Sequence, residues 1–266
     1  MQEISNPLLD PPPAEIPLPR APLVLVVAQV RFPQITSVSR SEFIGPFQEA
    51  IRHDYPILRQ ESIQDFLINP TRQTAKSSSS KIWRFSEDDG PWRVSLSEAF
   101  IALETKQYSS RDDFLSRLER ILEAFEEHVA PKRAERVGIR YVDRLAGEDA
   151  EDMPNLVRPE LAGILATEVA RMTGQAVSQH LFTLGGADRL VARWGRLPAG
   201  RTIDPNTIEP VDTPSWLLDL DAFRAESMPF SSEELTAQAR GFAERIYTFF
   251  RWAVTPAFLT RFGGEV

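Results

Sequence analysis

Tyr108-Ser109-Ser110-Arg111-Asp112 closes a series of strand-like segments and opens a long run in which Phe114, Leu115, Leu118, Ile121, Leu122, Phe125 and Val129 recur three and four residues apart. That spacing gathers all seven side chains on one face of a helix and predicts a helix from Ser110 to about Val129, laid on a sheet. Pro131 ends it, since proline lacks the amide donor and clashes with the preceding turn. The same step returns at Phe230-Ser231-Ser232-Glu233-Glu234. Here Ser231 and Glu234 have the spacing of a capping box. Leu235, Ala239, Phe242, Ile246, Phe249, Phe250 and Ala253 supply the buried stripe, and Pro256 stops the helix near Val254. Two such steps predict an α+β fold of two pseudo-repeated halves, each an antiparallel meander followed by one long amphipathic helix packed on the sheet.

Upstream of the first step, Lys81–Ser86, Trp92–Ser97 and Phe100–Thr105 alternate as strands, with Asp88-Asp89-Gly90-Pro91 as turn chemistry between the first two. Trp83, Phe85, Trp92 and Val94 are placed to pack across them. Leu23–Phe32, bounded by Pro22 and Pro33, is a further strand. Ser39 or Ser41 is positioned to cap a helix reaching about Asp54, with Phe43, Phe47, Ala50 and Ile51 inward. Asp65–Ile68 reads as a short strand, and Thr71–Ser80, with four consecutive serines, as a mobile loop. Arg136–Leu145 returns to the sheet. In the second half, Val177–Leu184 and Arg189–Trp194 are joined by the hairpin turn Gly185-Gly186-Ala187-Asp188, and Ser215–Ala222 follows. A short helix is expected over Leu161–Met172. Leu197–Thr213 is a long loop, and loops of that length in compact domains either bind something or lack order. The organisation expected is a proline-rich extended arm (1–22), an N-terminal half (23–146), an acidic connector containing the short helix (147–176), a C-terminal half (177–256) and a tail (257–266).

Composition narrows the function classes. Hydrophobic residues make up 42 % and charged residues 26 % of 266, the balance of an ordinary globular chain. The formal net charge of −8 offers no electrostatic footprint for phosphate backbones or anionic lipid. With no cysteine, disulfides, thiolate nucleophiles, zinc ribbons and iron–sulfur clusters are excluded. Met1–Arg20 contains acids and prolines rather than a basic stretch followed by an apolar one, so no secretory signal is expected, and a reducing, cytoplasmic home is. The seven prolines of the first 22 residues make a helix impossible there. Such an arm is either a strap on the body or a polyproline ligand for an aromatic groove.

Several blocks resemble a sporadically distributed prokaryotic family of uncharacterised proteins about 250 residues long. They are Ala21-Pro22-Leu23-Val24 with Arg31-Phe32, Leu103-Glu104-Thr105 with Tyr108, the Arg-Tyr strand block Arg136–Leu145, and Ile246-Tyr247-Thr248-Phe249-Phe250 running into Ala253-Val254-Thr255. The resemblance implies a single-chain α+β fold and no established activity. The position of Asp143 is commonly Asn in that family. Its sporadic occurrence points to an accessory system, such as toxin neutralisation or phage defence.

Candidate chemistry is sparse. Arg140, Tyr141, Asp143 and Arg144 form the densest polar cluster within a strand-like run. Alternation sets Arg140, Val142 and Arg144 on one face, where two guanidiniums could clamp a phosphate or carboxylate. The same arginines could instead tie the sheet to Glu123, Glu126 or Glu127 of the covering helix. Trp194 and Arg196, with Arg201 beyond them, could stack on a planar ligand or simply finish a hairpin edge. Asp219 and Asp221 share a strand face as paired metal ligands would, but no third ligand is apparent in sequence, so they are weak candidates and no metal is expected. His53, His128 and His180 stand alone without metal-ligand spacing. No phosphate-loop or nucleophile-elbow pattern occurs, so no cofactor is expected and no catalytic residue is assigned.

These readings favour a non-enzymatic protein-interaction module with a protein partner, no membrane and no nucleic acid, self-association being open. The competing reading is a binder of, or enzyme acting on, an anionic small molecule or nucleotide through Arg140 and Arg144.

Overall fold

A computed structural model of the chain describes residues 4–68, 75–88, 90–205 and 207–265, the side chains of 62–80 excepted. Its strands are β1 (Leu23–Arg31), β2 (Ile57–Ile68), β3 (Ala75–Ser86), β4 (Trp92–Leu96), β5 (Phe100–Thr105), β6 (Arg133–Ala134), β7 (Arg136–Ala146), β8 (Ala176–Gly185), β9 (Asp188–Leu197), β10 (Ser215–Arg224) and β11 (Met228–Pro229). The helices are α1 (Ser41–Ile51), α2 (Arg111–Val129), α3 (Glu148–Glu151), α4 (Met153–Leu156), α5 (Pro159–Ala162), α6 (Ser232–Ala253) and α7 (Pro256–Arg261). The fold is α+β. Among the described residues no helix is long and apolar enough to cross a membrane.

The chain divides into two compact units, one of residues 27–137 and 225–239, the other of 1–26, 138–224 and 240–266. In the first, strands hydrogen-bond in the order β2-β3-β4-β5-β1. The meander is antiparallel, and Phe85 faces Val94 directly, both fully buried. Helix α2 starts where the serine step predicts: the Ser110 hydroxyl accepts the Asp113 amide at 3.2 Å. All seven residues of its apolar stripe are buried, with Phe125 5.0 Å from Phe32 and 5.8 Å from Phe47. A fully buried phenylalanine of this kind contributes about 3–5 kcal/mol against truncation to alanine.

In the second unit the order is β7-β10-β9-β8. The β8–β9 hairpin turns through Gly185 and Gly186, whose φ values of 119° and 51° favour glycine. Gly195 is a second place where no side chain fits, since a Cβ there would lie 1.9 Å from the Ala176 carbonyl oxygen across the hairpin. The Arg240–Ala253 part of α6 carries buried Phe242, Ile246, Phe249 and Ala253. Phe250, expected in the stripe, is only half-buried and packs instead on Phe258 of α7 at 5.5 Å. The arm is a strap: the Ile16 amide donates to the Tyr247 hydroxyl at 2.8 Å, and Arg245 donates to the carbonyls of Pro7 and Asp10.

Several expectations are corrected. The serine run Ser77–Ser80 lies within β3, paired to residues 63–66 of β2, because backbone pairing with a neighbouring strand overrides a polar composition. Residues 71–74 of that expected loop, together with 69, 70, Asp89 and Asn206, fall outside the described residues. Ile44 rather than Phe43 turns inward on α1, Ala50 is exposed, and Arg40 stands at the N-cap without a side-chain bond. The acidic connector, expected to contain one short helix over Leu161–Met172, already holds α3 and α4 before that point. The helix expected over Leu161–Met172 is broken at Gly163, whose positive φ of 49° cannot continue an α-helix, and proceeds as two 3-10 turns. Pro256 stops α6 but also starts α7, as proline can at a first helical position.

Candidate functional site

The Arg-Tyr strand is where the sequence concentrates polar groups, and β7 is neighbour to β10. Alternation places Arg140 on the face that also carries Asp219 of β10. Asp219 is fully buried and lies directly opposite Arg193 of β9. Arg140 holds this carboxylate in bidentate fashion, Nε to Oδ1 at 2.7 Å and Nη2 to Oδ2 at 3.0 Å. Arg193 Nη2 approaches Oδ2 at 2.6 Å. The remaining Nη1 of Arg140 donates to Asp204 at 2.7 Å, and Asp204 also accepts the Thr207 hydroxyl. Burial works against the Arg140 charge, but the hydrogen bonds and field of Asp219 and Asp204 outweigh it, so the guanidinium holds its proton more tightly than usual.

Arginine does tie the sheet together here, but through Asp219 and Asp204. Of the helix acids considered, Glu126 accepts the Ser232 amide instead, at 2.9 Å. Arg144 donates to the Glu209 carbonyl at 2.8 Å, and burial lowers its pKa. Asp204 and Glu209 belong to the long loop, residues 198–214, which these two arginines pin to the face of β7.

Asp143 points to the opposite face. It is buried and, among the described residues, meets no counter-charge and no hydrogen-bond donor. Desolvation pushes its pKa up to about 7. Tyr141, on that same face, is half-buried. Asp221 sits opposite Val191, and no group of three or more His, Asp or Glu able to hold a metal occurs among the described residues.

Trp194 stacks on His180 of β8, with ring centroids 4.5 Å apart and planes within 10°. Arg196, next along the same face, donates to the Ala170 carbonyl at 3.2 Å. Arg201 is exposed. The structure therefore gathers Arg140 with Asp219, and Trp194 with Arg196 and His180, as two separate clusters. Sequence reading missed Arg193 and Asp204, because β9 and β10 are joined by the long loop and no turn fixes their register by counting.

β8 is an exposed edge. It ends its sheet order, bonded on one side to β9 alone. Its ten residues, Ala-Val-Ser-Gln-His-Leu-Phe-Thr-Leu-Gly, contain no formal charge and no proline. Leu181 is 65 % and Val177 42 % exposed, and they share a face. Phe182, on the other face, meets Phe249 of α6 at 5.8 Å.

Compared with known proteins, the chain matches no family model and no curated protein. Neither result bears on the resemblance carried by the Arg-Tyr block.

Proposed function

We propose that the protein is a non-enzymatic interaction module that docks an extended, largely uncharged segment of another polypeptide alongside β8. The carrying observation is the exposed, chargeless edge. Native proteins protect such edges with lysine, proline or a covering element, because a row of unpaired backbone groups templates a further strand. Here only the bulge near Thr183 and Gly185 interrupts it. A docked strand would gain backbone hydrogen bonds from β8 and apolar contact with Val177 and Leu181, the mode known as β-augmentation. The same reading keeps the two serine-capped helices as repeated scaffold, with Phe249 of the second backing the edge through Phe182.

The anion-clamp alternative has less support. Arg140 spends its guanidinium on Asp219 and Asp204, so little is left for a ligand.

Selection of displayed random 12-residue peptides against the full chain tests the proposal, followed by amide exchange of the bound complex. Winners rich in alternating apolar residues, protecting amides of β8 and weakened about tenfold by Leu181→Lys, are expected. Peptides that bind without protecting β8 would refute it. Concentration-dependent self-association that Leu181→Lys abolishes would put a second copy of the chain in the place of the foreign strand.

A further inference from the structure

The geometry points to a second binding site, independent of the β8 edge, for a small organic anion bearing a carboxylate or phosphate. A cavity of about 690 Å³ lies among α3, α4, the 3-10 segment Glu168–Met172, the end of β9 and the start of β10. That volume falls within the range of small-molecule sites. Its polar lining sets the guanidiniums of Arg171 and Arg196 beside Glu151, Thr213 and Ser215. Arg196 stands directly across from Trp216 in the β9–β10 register, and both line the cavity. Arg171 lines it as well and, among the described residues, makes no hydrogen bond or ion pair. Arg196 commits only Nη1, to the Ala170 carbonyl. The Trp216 indole N–H is buried and meets no acceptor, although the residue is only 2 % exposed.

That N–H has almost no accessible surface, so it lies behind the lining, and the donors that face the cavity are the arginines. The two guanidiniums of the lining supply the planar, bidentate geometry that suits carboxylate and phosphate oxygens. Glu151 is the one carboxylate in the lining, and it pairs with neither arginine, which leaves the site one positive charge in excess. Met153, Pro154 and Leu165 form an apolar wall, so the anion's carrier is an apolar body rather than a free inorganic ion. The ion-paired Arg140 is not among the lining residues.

Titration calorimetry on the full chain, with benzoate and phenyl phosphate as probes and neutral benzamide and inorganic phosphate as controls, tests this site. Saturable binding of one aromatic anion at 1:1 is expected, with benzamide and inorganic phosphate at least about tenfold weaker. Arg171→Ala should weaken that binding about tenfold or more without moving the thermal midpoint, since this exposed side chain has no partner to lose. Arg196→Lys, which keeps the charge and deletes the planar fork, should weaken it severalfold. No saturable binding of either anion at millimolar concentration would overturn the site. So would binding that both substitutions leave unchanged.

Discussion

Asp219 and Asp143 are both carboxylates buried inside strands of the same unit, and they stand in opposite electrostatic circumstances. Asp219 accepts two hydrogen bonds from Arg140 and lies 2.6 Å from Arg193, so its lost hydration is replaced by two cations. Asp143 is given nothing in return, and its proton is retained up to about pH 7. Burial alone therefore does not say whether a charge helps or harms; the donors around it do. The contrast is sharpest if Asp219 is removed. Asp219→Ala strands the Arg193 guanidinium and leaves Arg140 with Asp204 alone, both arginines being largely buried, and should lower unfolding free energy by about 3–5 kcal/mol in denaturant titrations. A loss below about 1 kcal/mol would mean the network does not hold the sheet.

Asp143→Asn should act in the other direction, and only at higher pH. The folded-state pKa of about 7 exceeds the ordinary carboxyl value, so the folded chain binds more protons than the unfolded one between about pH 4 and 7. Stability contributed by this residue accordingly falls as pH rises through that window, and the deficit stays constant above it. The amide removes the titration. At pH 8 the variant should be more stable by on the order of 2 kcal/mol, and near pH 4 indistinguishable from the parent. A stability difference that does not vary with pH would show that Asp143 finds a partner in solution.

What could be read in advance follows how local the determining forces are. Helix α2 was legible to within a residue, because a serine cap and a seven-residue apolar stripe both act within one helix. Gly185-Gly186 announced the β8–β9 hairpin for the same reason. The β2–β3 pairing was not legible, since Ser77–Ser80 join a strand only through a partner that supplies the hydrogen bonds. In the candidate site, Arg140 was visible as a residue but its partners were not. Asp204 reaches it from a loop 64 residues away, and Asp219 from a strand 79 residues away. Asp143 was visible as a member of the Arg-Tyr polar cluster, but its isolation is a property of the packed interior. Trp216 and Arg171 offered no sequence signal at all: one resembles any core aromatic and the other any surface cation.

The mildest test asks where the Asp219 network ends. Asp204 also meets Arg140 at 2.7 Å, yet its side chain is 25 % exposed while that of Asp219 is fully buried. Water can take over from a partly exposed carboxylate, and salt screens it. Asp204→Asn keeps an oxygen acceptor for Arg140 and for Thr207, so the loss should stay within about 1 kcal/mol and shrink further in 0.5 M salt. Amide exchange in residues 198–214 should quicken before global stability changes, because Asp204 anchors that loop rather than the sheet. A loss approaching that of Asp219→Ala would place both carboxylates in one cooperative cluster, and burial would then no longer distinguish the partner that holds the strands from the one that holds the loop.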